Sequence, residues 1–228
     1  MMPGSEAATK RHLELLRSLR GDRTKTPERL DELKRWQMQR LARSYADVSA
    51  VPRYRAATAF FLDDLYGPKD FSRRDQEMVR ILPAMTRLLP ASAVETAALA
   101  IELEALSEDL DQRLTRLLPA GPIDEAGYAR AYRASSTRSE RERQVELLGE
   151  VGERLDALVR RPLVFRTLKL MRTPARLAGL EDLQDFLERG FEAFRHMKGA
   201  DEFLALVRSR EMELLNRLFS GAARPFSA

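Results

Sequence analysis

Cysteine is absent from the 228 residues of the sequence. Without thiols the chain forms no disulfide, and it supplies neither a sulfur ligand for a metal nor a thiolate nucleophile. Long apolar runs are also missing, so the sequence predicts no membrane-spanning helix. Residues 1–10 lack the apolar core of a secretory signal, and we therefore expect a cytoplasmic protein.

Histidine is scarce, since the chain has only His12 and His196. Neither follows a glutamate by three residues, the spacing that brings both ligands to one helix face in di-iron bundles. The Gly-x-Ser-x-Gly turn of serine hydrolases and the glycine-rich loop that holds phosphates are missing as well. The sequence therefore predicts no metal site and no cofactor.

Strand-forming residues are thinly spread, whereas Leu, Ala, Arg and Glu recur throughout. Hydrophobic residues make up 44% and charged residues 32%, which is typical of a globular protein. Proline and glycine divide the chain into segments of helical periodicity, which predict an all-α bundle of about eight to ten helices. We expect a single domain over residues 1–220 and a frayed tail over 221–228. The break at 119–123 is either a hinge between subdomains or, as we favour, a tight helix connection.

The most hydrophobic segment covers residues 91–118. Its leucines recur at helical spacing and form one stripe, made of Leu99, Leu103, Leu106, Leu110, Leu114 and Leu117. The opposite side of its first half is covered by Val94, Ala98, Ile101 and Ala105. A helix that is apolar on two faces is usually buried, so we expect this helix to be central in the bundle.

Several polar residues fall on apolar helix faces. Gln37 lies within the apolar face of a helix that starts near Pro27. Asp64 and Glu211 each project among apolar neighbours, and a buried carboxylate must be paired, hydrogen-bonded or neutral. We favour internal salt bridges to arginines, and the alternative is a cavity in which a carboxylate of raised pKa transfers protons. The candidate buried or pocket-lining residues are Gln37, Tyr54, Asp64, Tyr66 and Glu211.

The net charge is +4, and the excess lies at the start of the chain, where residues 1–45 hold 11 Lys and Arg against 6 Asp and Glu. A basic segment favours nucleic acid or an acidic partner, although a solvated helix surface explains it as well. The candidate basic patch consists of Arg17, Arg20, Arg35 and Arg40.

A second basic segment, residues 160–180, mixes six cations with leucine and other apolar residues. Such a stretch is typical of helices that lie on a membrane surface, but Pro174 interrupts it. We favour a short core helix whose arginines extend to water, and we expect no membrane contact.

The segment Phe60–Asp75 has the sequence FFLDDLYGPKDFSRRD, and the later runs Gly190–Arg195 and Glu202–Leu204 accompany it. Together they resemble the signature of an uncharacterised family of all-helical, mainly proteobacterial proteins. The resemblance covers most of the chain and implies a helical fold in a bacterial cytoplasm, without any activity. Residues of this segment also predict an ordered corner between two helices. The corner residues are Tyr66, Gly67, Pro68, Asp70, Phe71, Ser72 and Asp75.

An ample core without a convergent set of chemical groups favours a non-catalytic binding or protein-interaction protein. Its occupant is a protein partner, a second copy of the chain, or an apolar small molecule between the helices. The first alternative is an adaptor for nucleic acid or an acidic partner that uses the basic N-terminal helices. The second is a carboxylate-dependent enzyme in which Asp64 and Glu211 converge in one pocket.

Overall fold

The computed structural model describes residues 10–16, 18–19, 27–65, 77 and 90–226. Between Pro27 and Ser220 these residues form eleven helical segments and no strand. The segments are α1 (Pro27–Ser44), α2 (Ala46–Ala50), α3 (Pro52–Phe60), the π-helical turn Phe61–Leu65, α4 (Ala91–Leu117), α5 (Glu125–Ser135), α6 (Arg138–Val159), α7 (Pro162–Leu170), α8 (Arg172–Leu177), α9 (Glu181–Met197) and α10 (Asp201–Ser220). Residues 10–16 are helical as well.

The predicted all-α class is confirmed. Eight of the eleven segments have nine or more residues. The three shorter segments, α2, the π-helical turn and α8, are too short to show a helical period in the sequence. In the described ranges, no helix is both long enough and apolar enough to cross a membrane.

The main core surrounds α6, which packs against α4, α7, α9 and α10. The largest fully buried side chains of these helices include Leu147, Phe194, Met197, Phe203, Leu215 and Leu218. Removing one leucine or phenylalanine side chain from water is worth about 1.5–3 kcal/mol. Burial around α6 therefore supplies most of what holds these helices together.

The leucine-rich helix α4 packs against α1, α5 and α6. Within its stripe, Leu110 and Leu114 are fully buried, whereas Leu99, Leu103 and Leu106 are half-buried. The prediction that this leucine stripe is buried is wrong at Leu117, whose exposure is 50%. Because the helix ends at this residue, no neighbouring helix covers it. The same helix also buries polar side chains, namely Thr96, Glu108, Gln112 and Thr115.

A smaller core lies where α1 meets α4 and α5. It contains Leu30, Leu33, Leu114, Tyr128 and Ala131. Trp36 stacks on Tyr128 with 4.3 Å between ring centroids, and Phe226 contacts both rings edge-on. Phe226, which lies in the segment expected to be a frayed tail, is therefore held by aromatic packing.

Some glycines lie where two helices approach each other closely. At Gly190 an added Cβ would lie 2.9 Å from the Phe60 ring, and at Gly152 it would collide with Leu204. At Gly149 nothing lies within 4 Å of an added Cβ. Close approach therefore explains Gly152 and Gly190, and it does not explain Gly149.

Part of what the sequence predicts lies outside the described residues. This applies to the corner residues Tyr66, Gly67, Pro68, Asp70, Phe71, Ser72 and Asp75, and to Arg17 and Arg20 of the basic patch.

Candidate functional site

A cluster of buried polar side chains lies between α1, α4 and α10. Lys34, Gln37 and Arg40 follow one another at intervals of three residues on α1, so they share one helix face. Three polar contacts cross from this face to the neighbouring helices. Lys34 Nζ lies 2.8 Å from Glu108 Oε2, Gln37 Nε2 donates to Asp111 Oδ1 at 2.9 Å, and Arg40 Nη1 lies 3.3 Å from Glu211 Oε1.

Two predicted pocket residues, Gln37 and Glu211, belong to this cluster. Glu211 also accepts a hydrogen bond of 2.8 Å from the Tyr45 hydroxyl. The prediction that Arg40 lies in a surface basic patch is wrong, since its exposure is 8%. The reason is that Arg40 shares the inward face of α1 with Gln37 and neutralises Glu211 there. Of the two patch residues that the structure describes, Arg35 is exposed and Arg40 is buried.

Burial governs the protonation of this cluster. Asp111 lies among buried side chains, and desolvation raises the pKa of its carboxyl above the ordinary range. Burial also raises the pKa values of Tyr128 and Tyr132. For Arg40, burial lowers the pKa, but Glu211, Tyr128 and Tyr45 together outweigh it, so the net pKa is raised. The arrangement keeps Arg40 charged and disfavours the ionised form of Asp111.

Arg141 of α6 completes the cluster. Its guanidinium lies over the Tyr132 ring, with 4.1 Å from Cζ to the ring centroid. Nε donates to Ser136 Oγ at 3.0 Å and Nη1 to Gln144 Oε1 at 3.1 Å. A cavity of about 110 Å³ separates this arginine from the α1 face. Sequence reasoning misses Arg141 because it stands in a run of alternating arginines and glutamates that is typical of an exposed helix.

Asp64 lies apart from the polar cluster. It is buried in the π-helical turn, and Arg189 of α9 donates to its two oxygens at 2.8 and 3.2 Å. It does not line the cavity beside Glu211. Tyr54 lies elsewhere again, with its hydroxyl donating to Glu202 at 2.8 Å on the surface. Asp64 is thus bonded to Arg189 and Glu211 to Arg40, so each carboxylate of the alternative enzyme hypothesis pairs with an arginine.

A larger cavity of about 470 Å³ opens on the surface where the ends of α6 and α9 meet the start of α7. We call it the α6–α7–α9 groove. Its lining includes one carboxylate, two aromatic rings and four cations: Asp156, Phe165, Phe194, Arg160, Arg166, Arg195 and Lys198. The sequence gives no signal for this groove, because its residues come from three separate helices and a turn.

Helices α7 and α8 carry an exposed apolar surface. Among the described residues, four of the seven exposed large hydrophobic side chains lie between positions 163 and 177. They are Leu163 at 74% exposure, Leu170 at 77%, Met171 at 42% and Leu177 at 84%. With the cations Arg161, Lys169, Arg172 and Arg176 these residues define the α7–α8 face.

The interpretation of this segment as a short core helix is wrong. No residue of α7 is buried. Val164, Phe165 and Leu168 pack on the core and are partly buried. Leu163 and Leu170 are exposed, because the helical spacing places them on the opposite side of α7.

A metal site is not found in the described ranges, where no three histidine, aspartate or glutamate side chains are grouped to hold an ion.

Comparisons with known proteins identify a family and no individual relative. The family model described as "Domain of unknown function (DUF8198)" matches residues 16–225. No curated protein and no solved structure matches the chain. Because the match spans nearly all of the chain, the protein belongs to the DUF8198 family.

Proposed function

We propose that the protein is a non-catalytic binding protein that docks an acidic, partly apolar segment of a partner protein on its α7–α8 face. The observation that carries the proposal is that exposed leucine and methionine side chains occur together in a stretch of the chain whose charged residues are all basic. Clustered exposed apolar residues with a polar rim are the ordinary mark of an interaction site.

The charge of this face selects the partner. Residues 157–180 contain six arginines and lysines and no aspartate or glutamate. Arg172 pairs with Glu188 of α9, and Lys169 lies 3.7 Å from Glu192. Arg176 has no ion pair within the described part of the chain. Complementary charge on a partner speeds association and excludes basic competitors, so the partner segment is acidic.

The apolar residues supply the binding energy. Leu163, Leu170 and Leu177 expose most of their side chains, and covering such a side chain is worth about 1.5–3 kcal/mol. Their exposure has no structural benefit for the isolated chain. A partner that covers all three in one contact gains the apolar core that protein interfaces require.

Two other occupants fit this face less well. A symmetric dimer would place the same cations against one another. A helix that lies on a membrane presents one continuous apolar face, whereas here α7 ends at Leu170 and Pro174 lies in the separate helix α8.

The alternative functions have less support. Arg40 of the predicted basic N-terminal patch is buried, which weakens the case for a nucleic-acid adaptor. A carboxylate-dependent enzyme needs Asp64 and Glu211 in one pocket, whereas Asp64 is bonded to Arg189 and Glu211 to Arg40.

A selection with a random peptide library tests the proposal. The probe is a displayed library of peptides of about 16 residues, long enough for an amphipathic helix of four turns. It is selected on the wild-type protein and counter-selected on the triple variant Leu163→Ser, Leu170→Ser and Leu177→Ser. Leu117→Ser is the matched control, since this leucine is exposed but lies at the end of α4.

The expected result is a set of acidic peptides with spaced leucines or aromatic residues. These peptides bind the wild type and the Leu117→Ser control, and they do not bind the triple variant. Their binding weakens with salt and with the reversal Arg176→Glu. Peptides without acidic enrichment, or peptides that bind all three proteins equally, would contradict the proposal. Sedimentation with phosphatidylglycerol vesicles that depends on the three leucines, in the absence of peptide binding, would assign the face to membranes and overturn it.

A further inference from the structure

The α6–α7–α9 groove collects charge that the fold does not use. Arg160, Arg166, Arg195 and Lys198 contribute four positive charges to its lining, and Asp156 contributes one negative charge. In the described part of the chain, Arg166, Arg195 and Lys198 form no ion pair. The groove is separate from the α7–α8 face and shares none of its defining residues.

These cations are not needed to cap the helix ends at the groove. Lysine and arginine often lie near a helix C-terminus because they bind its free carbonyl groups. At the end of α9 that role belongs to Arg53 of α3. Its Nε donates to Met197 O at 2.8 Å and its Nη2 to Gly199 O at 3.0 Å. Arg195 and Lys198 are therefore left for another use.

Arg195 is held in place without losing its hydrogen-bond donors. Its guanidinium lies over the Phe165 ring, with 4.2 Å from Cζ to the ring centroid. Stacking occupies the flat face of a guanidinium and leaves the N–H groups at its edge available. Phe165 thus positions a fork of donors at the wall of the groove.

Lys198 adopts an unfavourable backbone conformation. It has a φ of 54°, and it is the one non-glycine residue with positive φ in the described part of the chain. The left-handed position after a helix is normally taken by glycine, because a side chain is strained there. A lysine at this position places an ammonium group in the groove at a cost to the fold.

Asp156 supplies a second kind of contact. Only 7% of its side chain is exposed. Its Oδ2 accepts a hydrogen bond from Arg160, whereas its Oδ1 is buried without a partner among the described residues. An unpaired buried carboxylate oxygen is costly, and a donor group on a ligand would satisfy it.

We propose that this groove binds a small phosphate monoester that also carries a hydrogen-bond donor, such as an ammonium or hydroxyl group. The phosphate, with about two negative charges, is bound by Arg166, Arg195 and Lys198. The donor group bonds to Asp156. Guanidinium groups match phosphate oxygens in pairs, and a volume of about 470 Å³ lies within the range of small-molecule sites.

Calorimetric titration with two probes tests this site. The probes are O-phosphoethanolamine, which has a phosphate and an ammonium group, and ethyl phosphate, which lacks the ammonium. Lys198→Gly removes the charge while relieving the backbone strain, so it weakens binding and raises the melting temperature. Asp156→Asn tests the contact between the Asp156 carboxylate and the ammonium group of the probe. Arg208→Gln is the control, because Arg208 is an exposed residue of α10 that does not line the groove.

The wild type is expected to bind O-phosphoethanolamine more tightly than ethyl phosphate. Loss of one charge-assisted contact should weaken both probes about tenfold in Lys198→Gly, whereas Arg208→Gln binds like the wild type. Asp156→Asn should remove the preference for the ammonium probe and keep ethyl phosphate binding. The site would be refuted if neither probe bound at millimolar concentration, or if Lys198→Gly and Arg208→Gln weakened binding equally. Equal affinity of the wild type for both probes would exclude the donor contact.

Discussion

Asp111 shows how single residues in the polar cluster depend on burial. Its carboxyl accepts from Gln37 at 2.9 Å, and Lys34 and Arg141 attract it. Desolvation nevertheless exceeds these contributions, so its pKa in the folded chain is raised from 3.8. The folded state therefore binds more protons than the unfolded state above that pH, and folding becomes less favourable as the pH rises.

Asp111→Asn removes this penalty and keeps an oxygen that accepts from Gln37. We expect the free energy of unfolding of the wild type to fall relative to the variant as the pH rises above about 4. Denaturant titrations over this range measure the difference, with Asp63→Asn at an exposed position as the control. A constant gap between wild type and Asp111→Asn at all pH values would contradict the burial argument.

The sequence predicts some residues of the cluster and misses others for physical reasons. Gln37 and Glu211 are predictable because each interrupts an apolar helical stripe. Arg40 and Arg141 are not, since an arginine in a charged run is normally solvated. Their burial follows from which helices lie opposite them, and a helical period carries no information about that.

At the level of the helices, the spacing between α6 and α10 depends on Gly152. Leu204 of α10 occupies the space that a Cβ at this position would need. Both residues are buried, so neither side of the contact can move into open space. Gly149, three residues earlier on the same helix, has free space around it.

Alanine at these two positions should have opposite effects. We expect Gly152→Ala to lower the free energy of unfolding by about 1–3 kcal/mol because it overpacks the contact. Gly149→Ala should raise it by about 0.5–1 kcal/mol, because alanine favours a helix more than glycine does. Chemical denaturation of both variants measures the two changes. Destabilisation by Gly149→Ala, or stabilisation by Gly152→Ala, would show that the helices meet differently.

Helical periodicity predicts most of the long elements. It does not predict that α7 lies on the surface, since an apolar stripe shows that a helix has a face to cover without showing what covers it. The groove is equally invisible in the sequence, because Asp156 and Lys198 are separated by 42 positions and meet only in the folded chain.

At the scale of the whole molecule, the buried core supports folding, whereas the α7–α8 face contributes little to it. Leu110 is fully buried, and replacing such a residue by alanine typically costs about 2–5 kcal/mol. Leu163, Leu170 and Leu177 lie mostly in solvent, so the isolated chain gains little from them.

We expect the triple serine variant at positions 163, 170 and 177 to unfold at the wild-type melting temperature, whereas Leu110→Ala unfolds at a much lower temperature. Calorimetry of the two variants beside the wild type measures this contrast. A loss of stability in the serine variant comparable to that of Leu110→Ala would mean that the three leucines support the fold and are not available to a partner.

Photo-crosslinking in cells tests the docking face most directly. A photoreactive phenylalanine derivative replaces Leu170 in one variant and Leu117 in the other, and the cross-linked peptides are sequenced by mass spectrometry. We expect acidic peptides to be cross-linked from position 170 alone, and we expect these products to disappear when Lys169→Glu and Arg176→Glu are added. The same products from both positions, or products from position 170 without acidic residues, would contradict it.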